Sequence, residues 1–224
     1  MQLKKRFFVS LFFFIVVHQA LAAAPAGEAS QEDPKIALIR ALEGLNSFQA
    51  NFVQKIKDAN GQAMQDSKGQ IMVSRPGKFY WKSETPDPIV VVGDGQFLWT
   101  YDIDLAQVNK QDQHKVLGQS PAAILAGSVK EITSHFKISY APKNLCQANQ
   151  QCYLLNPLGT DAQFSNILLG FSQGELKSIR MEDPLGQVVT TRFTQVKVNQ
   201  NIDAQRFRFT PPKGVDVIQG GRHD

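Results

Sequence analysis

Hydrophobic positions follow two different periods along this chain. Ile36, Leu38, Ile39, Leu42 and Leu45 recur at helical spacing after Asp33 and Pro34. Those two residues suit an N-cap and a first helical position, and Gly44 or Asn46 ends the run. From Phe48 the period falls to two. Phe48, Ala50, Phe52 and Ile56 share one strand face, while Gln49, Asn51, Lys55 and Lys57 share the other. Asp58–Gly61 turns the chain, and Gln70–Ser74 is the next strand expected. Leu105–Lys110 follows as a further short strand. The segment from Ser120 to Gly127 then reads as a short apolar helix with Ser120 as cap, Pro121 at its first position and Gly127 as stop. From Phe136 onward the pattern is a meander: Phe136–Ala141, Cys152–Pro157, Phe164–Phe171, Leu176–Asp183, Val188–Asn199 and Arg206–Thr210, with Gly or Pro in the intervening turns.

The densest pattern lies between Arg75 and Asp102, which holds both tryptophans. It predicts strands at Lys78–Ser83, Ile89–Val92 and Gln96–Asp102, with Pro86 and Pro88 at the first junction and Gly93-Asp94-Gly95 as a hairpin. Phe79 and Trp81 share one face of the first of these strands. Phe97, Trp99 and Tyr101 alternate with Gln96, Leu98 and Thr100 in the third. A one-faced aromatic sheet must be covered, so the rings either form the core of a sandwich or barrel, or line an apolar cavity. The candidate lining is Phe48, Phe52, Phe79, Trp81, Phe97 and Trp99, with Ile124 and Leu125 from the short helix. That helix either plugs one end of a barrel or forms a lid. Fold class on this reading is mainly β, one antiparallel sheet or barrel.

The amino terminus changes the compartment. Lys4, Lys5 and Arg6 precede the apolar run Phe7–Val17, and Ala20-Leu21-Ala22 offers a small-x-small cleavage site. This pattern is expected of a cleaved secretory signal peptide, residues 1–22. Residues 23–33 then form a small, polar leader, 34–218 one domain, and 219–224 a disordered tail. Neither cysteine lies near the cleavage site, so no lipid anchor is expected there and the product should be soluble in the periplasm. Of the formal charge of +4, three positive charges leave with residues 1–22, which argues against a nucleic-acid surface. Cys146 and Cys152, the only cysteines, read as a disulfide stapling a hairpin in an oxidising compartment. They lack the C-x-x-C spacing of a redox site and the neighbouring ligands of a metal site.

Little in the chain could run a reaction. His18 lies in the signal segment, His223 on the tail, His114 in a polar loop and His135 at the expected start of a strand. No G-x-S-x-G or H-E-x-x-H motif occurs, and the acid pairs Asp102/Asp104 and Glu182/Asp183 fall at turns. No enzyme, cofactor or metal is expected. Arg75 is different, because it stands between a strand end and the Pro76-Gly77 break, at the rim of any cavity the rings line. Its five donors suit the backbone carbonyls of a nearby helix.

Five stretches together resemble the periplasmic outer-membrane lipoprotein carrier family. They are S-F-x-A-x-F-x-Q-K at Ser47–Lys55, R-P-x-x-F-x-W at Arg75–Trp81, D-G-x-x-L-W-x-Y at Asp94–Tyr101, the Ser120-Pro121 helix, and A-x-x-F-x-F-T-P-P-x-G-V at Ala204–Val215. The resemblance implies an incomplete, strongly curved antiparallel barrel with a helical lid over an apolar cavity. It implies that Arg75 locks the empty lid and that Phe79 lines the cavity and matters for receiving cargo. It also implies, as partners, acylated lipoproteins, an inner-membrane ABC transporter and an outer-membrane receptor, with a monomeric carrier between them. The alternative function is a periplasmic lipid- or stress-sensing module of the same fold.

Overall fold

The computed structural model describes residues 32–116, 120–159 and 162–220. The expected signal peptide, most of the expected leader and the last four residues lie outside the described residues. Helix α1 (Pro34–Glu43) begins where Asp33 accepts hydrogen bonds from the Lys35 and Ile36 N–H groups, at 2.7 and 3.2 Å. Its buried side chains are Ala37, Leu38 and Leu42, with Leu45 just beyond, whereas Ile36 is exposed.

Six strands follow as an antiparallel meander: β1 (Ser47–Lys57), β2 (Ala63–Ser74), β3 (Lys78–Thr85), β4 (Ile89–Asp94), β5 (Phe97–Asp102) and β6 (Gln107–Asp112). β2 starts seven residues earlier than the apolar pattern announces, because its polar first half still pairs with β1. Gly93 is a strand residue rather than part of the hairpin turn. The turn is built by Asp94, whose carboxylate accepts from the Gln96 and Phe97 N–H groups.

Two short helices interrupt the strands. α2 (Pro121–Ala126) is capped by Ser120. α3 (Val129–His135) is absent from the sequence reading. It has a capping box in which the Ser128 hydroxyl accepts from the Glu131 N–H and the Glu131 carboxylate accepts from the Ser128 N–H. His135 therefore ends a helix rather than starting a strand.

A second meander continues through β7 (Phe136–Tyr140), β8 (Gln151–Pro157), β9 (Asn166–Ser172), β10 (Glu175–Glu182) and β11 (Val188–Val198). β11 pairs with β1, which joins the two meanders into one sheet. The segment Arg206–Thr210 is not a strand. It enters a single 3-10 turn (Ala204–Phe207) that packs against β3 and β4, buries Phe207 and sets Phe209 against Trp99 and Tyr101. The chain then adds β12 (Asp216–Gln219), parallel to β6. Among the described residues, the order β12-β6-β5-β4-β3-β2-β1-β11-β10-β9-β8-β7 does not close on itself. The fold is mainly β, an open curled sheet with short helices, consistent with an incomplete barrel. Cys146 and Cys152 form a disulfide that ties the β7–β8 connection onto the start of β8.

Candidate functional site

One buried cluster holds side chains from both meanders and the helices. Within it Phe52 stacks on Trp81 at 3.7 Å between ring centroids, and Phe48 meets Phe193 edge-on at 5.1 Å. Two glycines make room for this aromatic floor. Gly69 stands opposite Phe52 in the β1–β2 ladder, and a Cβ there would lie 2.8 Å from the Phe52 ring and 1.8 Å from the Lys82 carbonyl. Gly93 stands opposite Phe79 in the β3–β4 ladder, where a Cβ would lie 2.4 Å from that ring. Each ring thus lies over a bare stretch of neighbouring backbone.

Beside this floor is a recess of about 330 Å³, lined chiefly by Phe79, Trp81, Val91 and Leu98 and roofed by Pro121–Ala123 of α2. Of the residues expected to line a cavity, Phe79 and Trp81 face this space. Phe48, Phe52, Ile124 and Leu125 are fully buried in the cluster next to it.

Phe97 and Trp99 must be reassigned. The ladders align Phe79 with Gly93 and Leu98, and Trp81 with Val91 and Thr100, so Leu98 and Thr100 are the inward residues of β5. Phe97 and Trp99 lie on the opposite, outer face. There Lys110 sits over both rings, at 3.7 and 4.7 Å from their centroids, and the Trp99 indole donates to Asp94 at 3.0 Å. Burial pushes the Asp94 carboxyl up, but the Phe97, Trp99 and Gln96 donors and Lys110 outweigh it and hold it below the usual carboxylate range.

Arg75 joins two helices. Its Nε donates to the Leu125 carbonyl of α2 at 2.9 Å, and its Nη1 donates to the Leu42 carbonyl of α1 at 2.8 Å. These carbonyls belong to last turns, where helix carbonyls lack intrahelical partners and the helix dipole favours a cation. The neighbouring Gly77 N–H donates to the Ala126 carbonyl at 2.8 Å, and Gln113 binds the Gly77 carbonyl and accepts from the Gly95 N–H. The Arg75–Gly77 turn is therefore the shared C-terminal anchor of α1 and α2. The third guanidinium nitrogen, Nη2, is buried and has no hydrogen-bond partner among the described residues. Burial lowers the pKa of the guanidinium from its ordinary value, with Glu131 opposing the shift. Glu131 is itself held below the usual carboxylate range by the Ser128 N–H and hydroxyl.

A wider groove of about 620 Å³ runs beside α1, over Ala37, Leu45, Tyr153 and Phe171. Its rim carries the Arg40–Glu32 ion pair and the amides of Asn149, Gln151 and Gln173. It is more open than the recess beneath α2 and, unlike that recess, has charged residues in its lining.

The sequence reading did not find the inward roles of Leu98, Thr100, Val91 and Gln54. Nor did it find the two glycines beneath the rings. Pairing Phe79 with Gly93 of β4 and Phe52 with Gly69 of β2 exposes both, since a strand glycine opposite a large ring marks close packing.

The family model for "Outer membrane lipoprotein carrier protein LolA" matches residues 43–210. An outer-membrane lipoprotein carrier protein of Hahella chejuensis is 38% identical over 183 residues, covering 82% of this chain and 87% of the relative. One of Chromohalobacter salexigens is 36% identical over 202 residues, covering 90% and 94%. Among solved structures, an uncharacterized conserved protein from Thermus thermophilus shares the fold, with a TM-score of 0.52 at 12% identity over 83% of this chain and 98% of that one.

Proposed function

The chain belongs to the outer-membrane lipoprotein carrier family, and we propose that it is the soluble periplasmic carrier that takes acylated lipoproteins from an inner-membrane ABC transporter. It shields their acyl chains beneath α2 and delivers them, as a monomer, to an outer-membrane receptor. The role needs no reaction, only a hydrophobic compartment that opens and closes.

Physical chemistry sets the terms. An acyl chain of about fifteen methylenes, at about 0.8 kcal/mol each, resists water by on the order of 12 kcal/mol. A cavity must replace most of that, yet a perfect one would never release its load. The bridge from Arg75 to the ends of both covering helices is the observation that carries this reading. Two hydrogen bonds from a charged donor are worth about 1.5–3 kcal/mol each, while an orphaned buried donor costs about 1–3 kcal/mol. Arg75 Nη2 is such an orphan, so the closed lid is held, but weakly. Closure lowers the apparent affinity for cargo by the fraction of molecules already open. Arg75 is then the residue that keeps uptake reversible, and Phe79 and Trp81 form the surface the first chain meets.

Native mass analysis of wild-type and Arg75→Leu protein from periplasm tests this. The expected result is an acylated lipoprotein complex enriched on the variant, with reduced transfer to receptor-bearing membranes. Free lipid on both proteins, with no lipoprotein on either, would favour the sensing module instead. Normal handover by the variant would remove Arg75 from the mechanism.

A further inference from the structure

The recess beneath α2 is not uniformly apolar. Besides the Trp81 indole, four of its lining residues carry hydrogen-bonding side chains: Gln54 on β1, Thr100 on β5, Gln111 on β6 and Ser120 at the start of α2. Their placement follows the ladders. Reading across the sheet from β3, one inward row runs Phe79, Gly93, Leu98 and ends on β6 at Gln111, while the next runs Trp81, Val91, Thr100 and ends on β6 at Asn109. Both apolar rows therefore finish, on the same side, in a polar side chain. Gln54 borders the recess from β1, and its orientation is fixed from behind. Its Nε2 donates to the hydroxyl of Thr191, a fully buried residue of β11, at 3.1 Å. One amide hydrogen and the carbonyl of Gln54 remain for the recess. The Ser120 oxygen accepts the Ala123 N–H at 3.2 Å as the helix cap, which leaves its hydroxyl hydrogen to be donated.

An acyl chain is not only hydrocarbon, because by definition it ends in a carbonyl. A carbonyl drawn out of water without a donor costs free energy that the burial of its methylenes must offset. From the position of these donors beside the aromatic floor, we infer that Gln54, Thr100, Gln111 and Ser120 form a subsite for the ester or amide carbonyls of the cargo's acyl groups. The hydrocarbon then lies over Phe79, Trp81, Val91 and Leu98, and the polar border fixes how far each chain enters. The ligand class is a carbonyl-linked acyl lipid, distinguished from an ether-linked or bare alkyl chain of the same length. This rests on the carrier reading and adds selectivity to it.

The test uses two probes on the full mature chain, with binding read from tryptophan fluorescence. One is a short peptide bearing two ester-linked hexadecanoyl chains on a glyceryl group. The other is its ether-linked counterpart with equal chains. Wild type should favour the ester probe on the order of tenfold, as expected for one or two net hydrogen bonds. Thr100→Val/Gln111→Leu should lose that preference, binding the ester and ether probes equally. Thr100→Ser, which keeps the hydroxyl, should retain it. Equal affinity of wild type for both probes overturns the subsite and leaves the carrier reading standing, as does a preference that survives in the double variant. Failure of wild type to bind either probe overturns the carrier reading, and the subsite with it.

Discussion

The strands β1–β6 and β7–β11 are two antiparallel meanders of similar build that meet at the β1–β11 ladder, but their concave faces differ. The second presents Leu155, Ile167, Leu169, Ile179 and Met181, each at most 1% exposed, and α1 and α3 pack at its β7 edge. The first presents Phe52, Phe79 and Trp81 over two glycines and is roofed, among the described residues, by the six-residue helix α2, which rests on β2 and β3. Branched aliphatic side chains interdigitate and fill space, whereas flat rings over bare backbone make a smooth wall. The same strand topology therefore gives a filled core on one side and leaves a recess on the other. Side-chain shape and the size of the cover decide which.

The largest expected effect tests the filled core. Leu169→Ala should cost about 2–5 kcal/mol of stability, as fully buried leucines do. Leu98→Ala, in the wall of the recess, should cost less than about 1 kcal/mol while weakening cargo binding. Urea unfolding of the two variants decides this, and equal losses would erase the distinction between the halves. Next comes the floor itself. Gly93→Ala should destabilise by about 1–3 kcal/mol, because a Cβ there would lie 2.4 Å from the Phe79 ring and force it to shift. A shift in the Trp81 environment should accompany it in near-ultraviolet circular dichroism, and an unchanged midpoint would mean Phe79 has room to spare.

The smallest effect concerns acid. Asp94, on the outer face of the first half, has a folded pKa below its ordinary value. Its contribution is therefore complete above the unfolded carboxylate value of about 4 and is lost as pH falls through the lower folded value. Melting curves from pH 6 to 2 should show a shallower acid limb for Asp94→Asn than for wild type. Identical limbs would remove Asp94 from the acid response.

Much of this was legible in the residues, and the failures have physical causes. Asp33, Ser120 and Gly127 marked helix ends because capping is local chemistry, and Arg75 stood out because Pro76-Gly77 breaks the chain beside it. The outer position of Trp99 was not legible. Alternation separates two faces of a strand without saying which one is inward, and only the register through Gly93 and Val92 chooses. Gly93 misled because glycine beside Asp-Gly looks like a turn, while its function is to yield space to Phe79. The Phe207-Arg208-Phe209 alternation imitated a strand, though the two rings serve the outer face of a sheet formed a hundred residues earlier. β12 was missed for the same reason, since its four residues acquire meaning only from the distant β6 beside them. α3 carries a local signal of its own, since Ser128-x-x-Glu131 is a capping box in the sequence.

Among the described residues the sheet ends at β7 on one side and β12 on the other, with no ladder joining them. In a closed barrel, strand number and stagger together fix the radius, so the interior has one size. An open sheet carries no such condition. Its curvature can relax by small changes of twist spread over eleven ladders, without breaking any of them. Bore is then an adjustable quantity, and one sequence can accommodate loads of different girth by uncoiling slightly.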